Sequence, residues 1–102
     1  MDPKTIIVEL EKINQAVLSC QKCPLSQTRH NPVFGQGHPQ TKIIFVGEAP
    51  GFNEDQTGQP FCGAAGQVFD RLLNSVGLNR NQIYITNILK CRPPNNRDPQ
   101  LD

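Results

Sequence analysis

Apolar residues recur at Ile6, Leu10, Ile13 and Val17, the spacing of one helix face, and Asp2-Pro3 ahead of them supplies a capping side chain and a first helical residue. This pattern predicts a helix that delivers the chain to Cys20. From Pro24 to Thr41 the composition turns polar, with Asn31-Pro32, Gly35, Gly37 and His38-Pro39 marking turns, and the stretch reads as a loop. Ile43-Ile44-Phe45-Val46 then reads as a short, fully buried strand. Val68, Leu72, Leu73 and Val76 form one face of a second helix, ended by Gly77 where a left-handed cap is wanted. Ile83-Tyr84-Ile85-Thr86 follows as a second strand.

A strand, a crossover helix and a strand in that order imply a parallel pair, the unit of α/β sheets that bind ligands beyond the carboxyl ends of their strands. The glycine-rich segment opening at Gly47 and the side chain of Asn87 both lie at those ends. The tail from Cys91 to Pro99 is proline-rich and unlike strand or helix. Two strands make a poor sheet, so residues 1–102 are expected to be the N-terminal part of a single domain, truncated after the second predicted strand.

Charge narrows the partners. A net charge of +1 is far from the strongly basic footprint of a domain that holds nucleic acid by bulk electrostatics, so any such binding rests on local contacts. Glu9, Glu11 and Lys12 interrupt the first apolar pattern, which excludes a signal peptide or membrane span there and points to a cytoplasmic protein with no membrane partner. Four cysteines without a secretory signal read as metal ligands or reduced thiols.

Cys20 and Cys23, in C-Q-K-C-P, have the two-residue gap that lets adjacent thiolates share one metal, and Cys91 stands alone among basic residues and prolines. Cys62 could supply a fourth ligand, but beside Phe61 in a stretch of small residues a packed thiol is the commoner outcome, leaving three ligands and a missing fourth. Glycines between a strand and a helix suggest phosphate binding. However, no G-x-x-x-x-G-K-[ST] is present, and Gly63-Ala64-Ala65-Gly66 lies too far from the strand for a dinucleotide fingerprint. A structural turn with close helix packing explains those glycines equally well.

Taken in order, these pieces resemble the type-4, iron–sulfur uracil-DNA glycosylases: C-x-x-C-P-L, T-R with V-F-G-x-G, V-G-E-A-P-G-x-x-E-D, T-G-x-P-F-x-G-x-A-G-Q, and Y-I-T-N-x-x-K-C-R-P-P-x-N-R. The resemblance covers nearly the whole chain. It implies a three-layer α/β/α sandwich around a short parallel sheet, uracil-containing DNA as partner, monomeric action, and excision of uracil by hydrolysis of its N-glycosidic bond. It also implies a 4Fe-4S cluster on Cys20, Cys23 and Cys91, with a fourth ligand absent from this chain.

The same resemblance assigns uracil binding to Glu48, Ala49, Gly51, Phe61 and Asn87, and catalytic work to Glu48, Glu54 and Asn87. Phe61 would stack on the base, against its plainer reading as a core side chain. Asn87 would read the uracil edge through one amide, against its plainer reading as a strand-end cap. Glu48 would position the loop or a water, and Glu54 would bar the thymine methyl. Asp55 reads as either part of that loop's acid or solvated surface. Ala49 stands where the best-known branch of the superfamily has an aspartate, so bond breaking leans on stabilising the departing base. Lys90, Arg92 and Arg97 are candidates for phosphate contacts, for screening a cluster, or for plain surface charge. Cys62 replaces a more usual valine, and the family's fourth cysteine and histidine loop lie beyond Asp102, so the 102-residue chain alone is expected to be inactive. The rival readings are a non-catalytic iron–sulfur or zinc-binding redox module and a nucleotide-binding α/β protein.

Overall fold

The computed structural model describes residues 2–96. Helix α1 spans Pro3–Leu18, and the Asp2 carboxylate accepts from the Lys4 N–H at 2.8 Å and the Thr5 N–H at 3.2 Å. Two of the orphan donors of the first turn are thereby met, as the Asp-Pro start predicted. Three strands follow: β1 at Gln36–Gly37, β2 at Ile44–Gly47 and β3 at Tyr84–Asn87. Between β2 and β3 lie the short helix α2 (Phe52–Thr57) and the longer α3 (Ala64–Ser75). Single 3-10 turns occupy Pro24–Gln27, Arg80–Gln82 and Pro94–Asn96.

The sheet order is β1-β3-β2. β2 and β3 run parallel with Ile44 opposite Tyr84 and Gly47 opposite Asn87, so the expected parallel pair is present and its carboxyl ends are level. β1 pairs antiparallel with β3, Gln36 opposite Ile85, which makes the sheet mixed instead of wholly parallel. A two-residue strand of Gln and Gly carries no apolar alternation, and nothing in its composition distinguishes it from a loop.

β3 is the central strand, and Ile83 and Ile85 are fully buried around it. β2 departs from expectation. It is not fully buried: Ile44 is 60% and Val46 58% exposed, and only the Phe45 side of the strand is covered. A run of apolar residues cannot by itself tell a strand covered on both faces from one covered on a single face.

The packed face of α3 also differs from the predicted one. Leu73 is buried, but Val68, Leu72 and Val76 are exposed. The inward stripe is Gly66, Phe69 and Leu73, with the Phe69 ring meeting Phe45 edge-on at 4.9 Å and Phe61 edge-on at 5.4 Å. Two T-shaped contacts on one ring make it the centre of this small core. α3 ends as expected, with Gly77 at φ 79° and the Leu78 N–H returning to the Leu73 carbonyl at 2.9 Å.

Gly66 brings α3 unusually close to the preceding loop. A Cβ on it would fall on the Phe61 carbonyl oxygen and within 3.2 Å of the Phe61 Cα. Gly66→Ala sets two effects against each other: alanine gains about 1 kcal/mol of helix propensity, while the added methyl must push backbone aside. Because backbone cannot yield as a flexible side-chain end can, the clash dominates, and the variant is expected to unfold at a lower temperature than the wild type in a thermal melt.

Candidate functional site

Glu54 sits on the first turn of α2, and its carboxylate gathers the loop around itself. Oε1 accepts from the Gly51 N–H at 2.9 Å, while Oε2 accepts from the Cys62 N–H at 2.9 Å and the Gly63 N–H at 3.0 Å. Gly51 starts α2 and Gly63 starts α3. One carboxylate thus joins the N-terminal ends of both helices, where the orphan N–H groups and helix dipoles favour negative charge. Partial burial acts to raise the pKa of Glu54, but the amide donors of Cys62, Gly63 and Gly51 and its own backbone outweigh it and hold the carboxyl below its ordinary value of 4.5.

The loop so held encloses a pocket of about 210 Å³ at the carboxyl ends of β2 and β3, lined by Gly47, Glu48, Ala49, Glu54, Phe61, Ala65, Gly66 and Asn87. The volume is below the roughly 300–1,000 Å³ of sites for drug-sized ligands and suits one small ring. Asn87 is 2% exposed, and no hydrogen bond among the described residues engages its side-chain amide. Its backbone carbonyl accepts from the Lys90 ammonium. Gly47 opposite it has no room for a side chain, since a Cβ there would meet the Asn87 Oδ1 and stand 2.8 Å from the Phe61 ring. Phe61 is held at φ 51°, in the left-handed region that costs a non-glycine residue about 1–2 kcal/mol.

The structure therefore brings together Glu48, Ala49, Glu54, Phe61 and Asn87. Gly51 does not line the pocket; it stands one layer behind, donating to Glu54. Gly47, Ala65 and Gly66 complete the lining, and only the glycine-rich character of the segment hinted at them. Asp55, open to a reading as solvated surface, is 1% exposed: its Oδ1 accepts from the backbone N–H of His30 at 2.8 Å and Oδ2 is buried without a partner among the described residues. It ties α2 to the loop ahead of β1. Lys90 turns inward instead of outward, donating to the Thr86 hydroxyl at 3.2 Å, and burial lowers its pKa. Arg92 lies over the Phe52 ring at 5.3 Å, and Arg97 falls outside the described residues.

Cys20, Cys23 and Cys91 line one mostly apolar cavity of about 150 Å³ with Val17, Leu25, Ile88 and Arg29. Cys62 is not among them; its thiol stands 3.3 Å from the Thr57 hydroxyl. Arg29 was not singled out from the sequence, because a lone arginine has no periodic signal. Its guanidinium donates to the Cys91 Sγ at 3.0 Å and to the carbonyls of Leu18 and Cys20 at 3.2 and 3.1 Å. The end of α1 is thereby fastened to the segment that follows β3. Among the described residues no three His, Cys, Asp or Glu side chains stand close enough together to hold a metal ion. The donor set nevertheless fits an iron–sulfur cluster in kind: three thiols from two separate segments, the Cys20–Cys23 pair and Cys91, face a common apolar space, with a guanidinium beside the sulfur of one.

A sequence model of the uracil DNA glycosylase superfamily matches residues 34–102. The chain belongs to that superfamily. It is 56% identical over 94 residues to the type-4 uracil-DNA glycosylase of Sulfurisphaera tokodaii, covering 91% of this chain and 43% of that protein. Similar matches are the type-4 uracil-DNA glycosylases of Archaeoglobus fulgidus, 54% identical over 88% of this chain and 45% of the relative, and of Thermotoga maritima, 49% identical over 88% and 47%. The chain spans under half the length of these superfamily relatives. Among the described residues no helix is long and apolar enough to cross a membrane.

The Glu54 clamp has a pH signature. A carboxyl whose pKa is depressed by folding contributes stability that is complete above its unfolded pKa and lost as pH falls through its folded one. Glu54→Gln removes one acceptor and the charge, and is expected to cost about 1–3 kcal/mol at pH 7. The gap between wild type and variant should close as pH drops below 4.5, the ordinary glutamate value. Urea denaturation at a series of pH values measures this, and a gap that stays constant into acid would show that the charge of Glu54 does not hold the loop.

Proposed function

We propose that the chain makes up the N-terminal part of a single uracil-DNA glycosylase domain, which excises uracil from DNA and leaves an abasic site. The observation that carries this reading is the Asn87 amide, almost fully buried, without a hydrogen-bond partner among the described residues, and lining a one-ring pocket together with Phe61. A buried amide without partners costs free energy that a ligand edge can recover. Uracil presents an acceptor at O4 and a donor at N3, which one oriented amide meets with one donated and one accepted hydrogen bond.

In this reading the base leaves the DNA stack and enters the pocket, with Phe61 as a stacking wall that offsets part of the unstacking cost. The glycosidic bond breaks with its electron pair leaving on the uracil ring, and water adds to the sugar carbon left behind, its released proton neutralising the uracil anion through solvent. Fixed donors aimed at the departing charge assist that step. Glu54 acts by holding the loop, since its oxygens already accept three backbone N–H groups, and so limits the room beside the base edge. Glu48, exposed at the rim, is placed to position a water.

Cys20, Cys23 and Cys91 would hold a 4Fe-4S cluster together with a fourth thiolate, and such a cluster supplies a cross-link between distant segments and a one-electron redox centre. Arg29 orients the Cys91 side of that site. The partner is uracil-containing DNA, and the enzyme acts as a cytoplasmic monomer, with Arg92 and Arg97 as candidates for phosphate contacts.

Two outcomes test this. In the full-length protein, Asn87→Asp is expected to lose at least about tenfold in single-turnover excision of uracil, the scale set by one mispaired buried group, and to gain weak activity on unpaired cytosine, whose N4 donates and N3 accepts. Wild-type rates in the variant would return Asn87 to a strand-end cap. Anaerobically prepared wild-type protein is expected to be brown and to contain iron and sulfide; zinc without iron would replace the cluster by a zinc site.

A further inference from the structure

Phe61 holds its ring in the pocket from a left-handed backbone, and something outside the pocket must keep it there. Arg80, in the 3-10 turn ahead of β3, reaches back across the core to that turn. Its Nη1 donates to the Pro60 carbonyl at 2.9 Å and its Nη2 donates to the Phe61 carbonyl. Its Nε donates to Asp70 Oδ1 at 2.6 Å, and its guanidinium carbon stands 5.9 Å from the centre of the Phe69 ring. The Phe61 carbonyl is also the group pressed against Gly66 of α3. Each of the three guanidinium nitrogens therefore donates to one turn or to the helix that backs it, an arrangement that a planar fork of donors can make and a point charge cannot.

We infer that Arg80 is a positioning residue for base stacking: by gripping the carbonyls of Pro60 and Phe61 it fixes the Phe61 ring at the distance and tilt that a flipped pyrimidine requires. Asp70 orients the guanidinium, and Phe69 supports both the guanidinium and the Phe61 ring from behind. The ion pair is part-exposed, with side chains 28% and 46% accessible, so its contribution lies in direction more than in stability. This inference rests on the reading of Phe61 as the stacking wall.

The test compares Arg80→Ala, Arg80→Lys, Asp70→Asn and Phe61→Ala in the full-length protein. Single-turnover excision of uracil and affinity for an oligonucleotide carrying an abasic-site analogue are measured side by side. Arg80→Ala is expected to slow excision by on the order of tenfold to a hundredfold, the cost of a displaced group at the reacting centre. Affinity for the abasic analogue, which has no base to stack, should not change. Millimolar guanidinium should restore part of the rate, and Arg80→Lys should stay close to Arg80→Ala. If Arg80→Ala does not fold, Asp70→Asn carries the test, with a smaller loss of about two- to fivefold expected in excision alone. An unchanged excision rate in the folded Arg80 or Asp70 variant, or equal losses on both oligonucleotides, overturns the role of Arg80. Phe61→Ala separates the two ideas: if it too leaves excision unchanged, the stacking reading fails, whereas a slow Phe61→Ala beside a fast Arg80→Ala removes only the inference about Arg80.

Discussion

A single carboxylate organises the ligand-facing end of this protein. The segment between β2 and α3 turns repeatedly within some sixteen residues and exposes backbone N–H groups at the starts of two helices. Glu54 supplies what such a loop lacks. Its two oxygens accept from Gly51, Cys62 and Gly63, so the beginnings of α2 and α3 are fixed to each other through one charged group. Backbone donors left without that acceptor would seek water, and the pocket wall would open with them.

What Glu54 does on one side of the pocket, Arg80 does on the other. The loop is gripped through its N–H groups by an anion and through its carbonyls by a cation, and the Phe61 turn lies between them. Both grips act on backbone, and around them the lining is made of glycines, alanines and one aromatic ring, with Glu48, Glu54 and Asn87 as its polar members. Asn87 enters from the third side, at the end of the central strand, where Ile83 and Ile85 anchor β3 in the core and the ladder to β2 continues past it through Ile88 and Leu89.

Those parts of the fold that depend on local periodicity were legible before the structure. α1 and its Asp-Pro start, the parallel pair β2 and β3, and the Gly77 cap all follow from spacing and from residues with one strong conformational preference. Which face of an element is buried was not legible to the same degree. Val68, Leu72 and Val76 make as good a helical stripe as Gly66, Phe69 and Leu73, and the choice between them is made by the close approach at Gly66, a contact between residues that no period links. The site divides the same way. Its lining was marked by the glycine-rich segment and the strand-end asparagine, whereas the three charged side chains that support it through backbone contacts, Arg29, Asp55 and Arg80, are single residues in polar stretches. Their partners lie 9 to 62 residues away in the chain. Nothing in a local pattern separates such a residue from one facing water.

The two sites share one piece of backbone. Asn87 closes β3, and Cys91 follows four residues later, with Lys90 between them donating back to the Asn87 carbonyl and its own carbonyl accepting from Val33 at 2.7 Å. Arg29 then joins Cys91 to the end of α1. Displacing Cys91 would therefore pull on a short segment whose other end carries the buried amide. On this geometry the proposed cluster needs no part in bond breaking to matter for uracil recognition. By tying Cys91 to the Cys20–Cys23 pair it would hold the far end of that segment still, in the same manner that Glu54 and Arg80 hold the loop opposite: rigidity of the pocket is supplied by contacts to backbone, from Glu54 within the lining and from Arg80 one layer outside it.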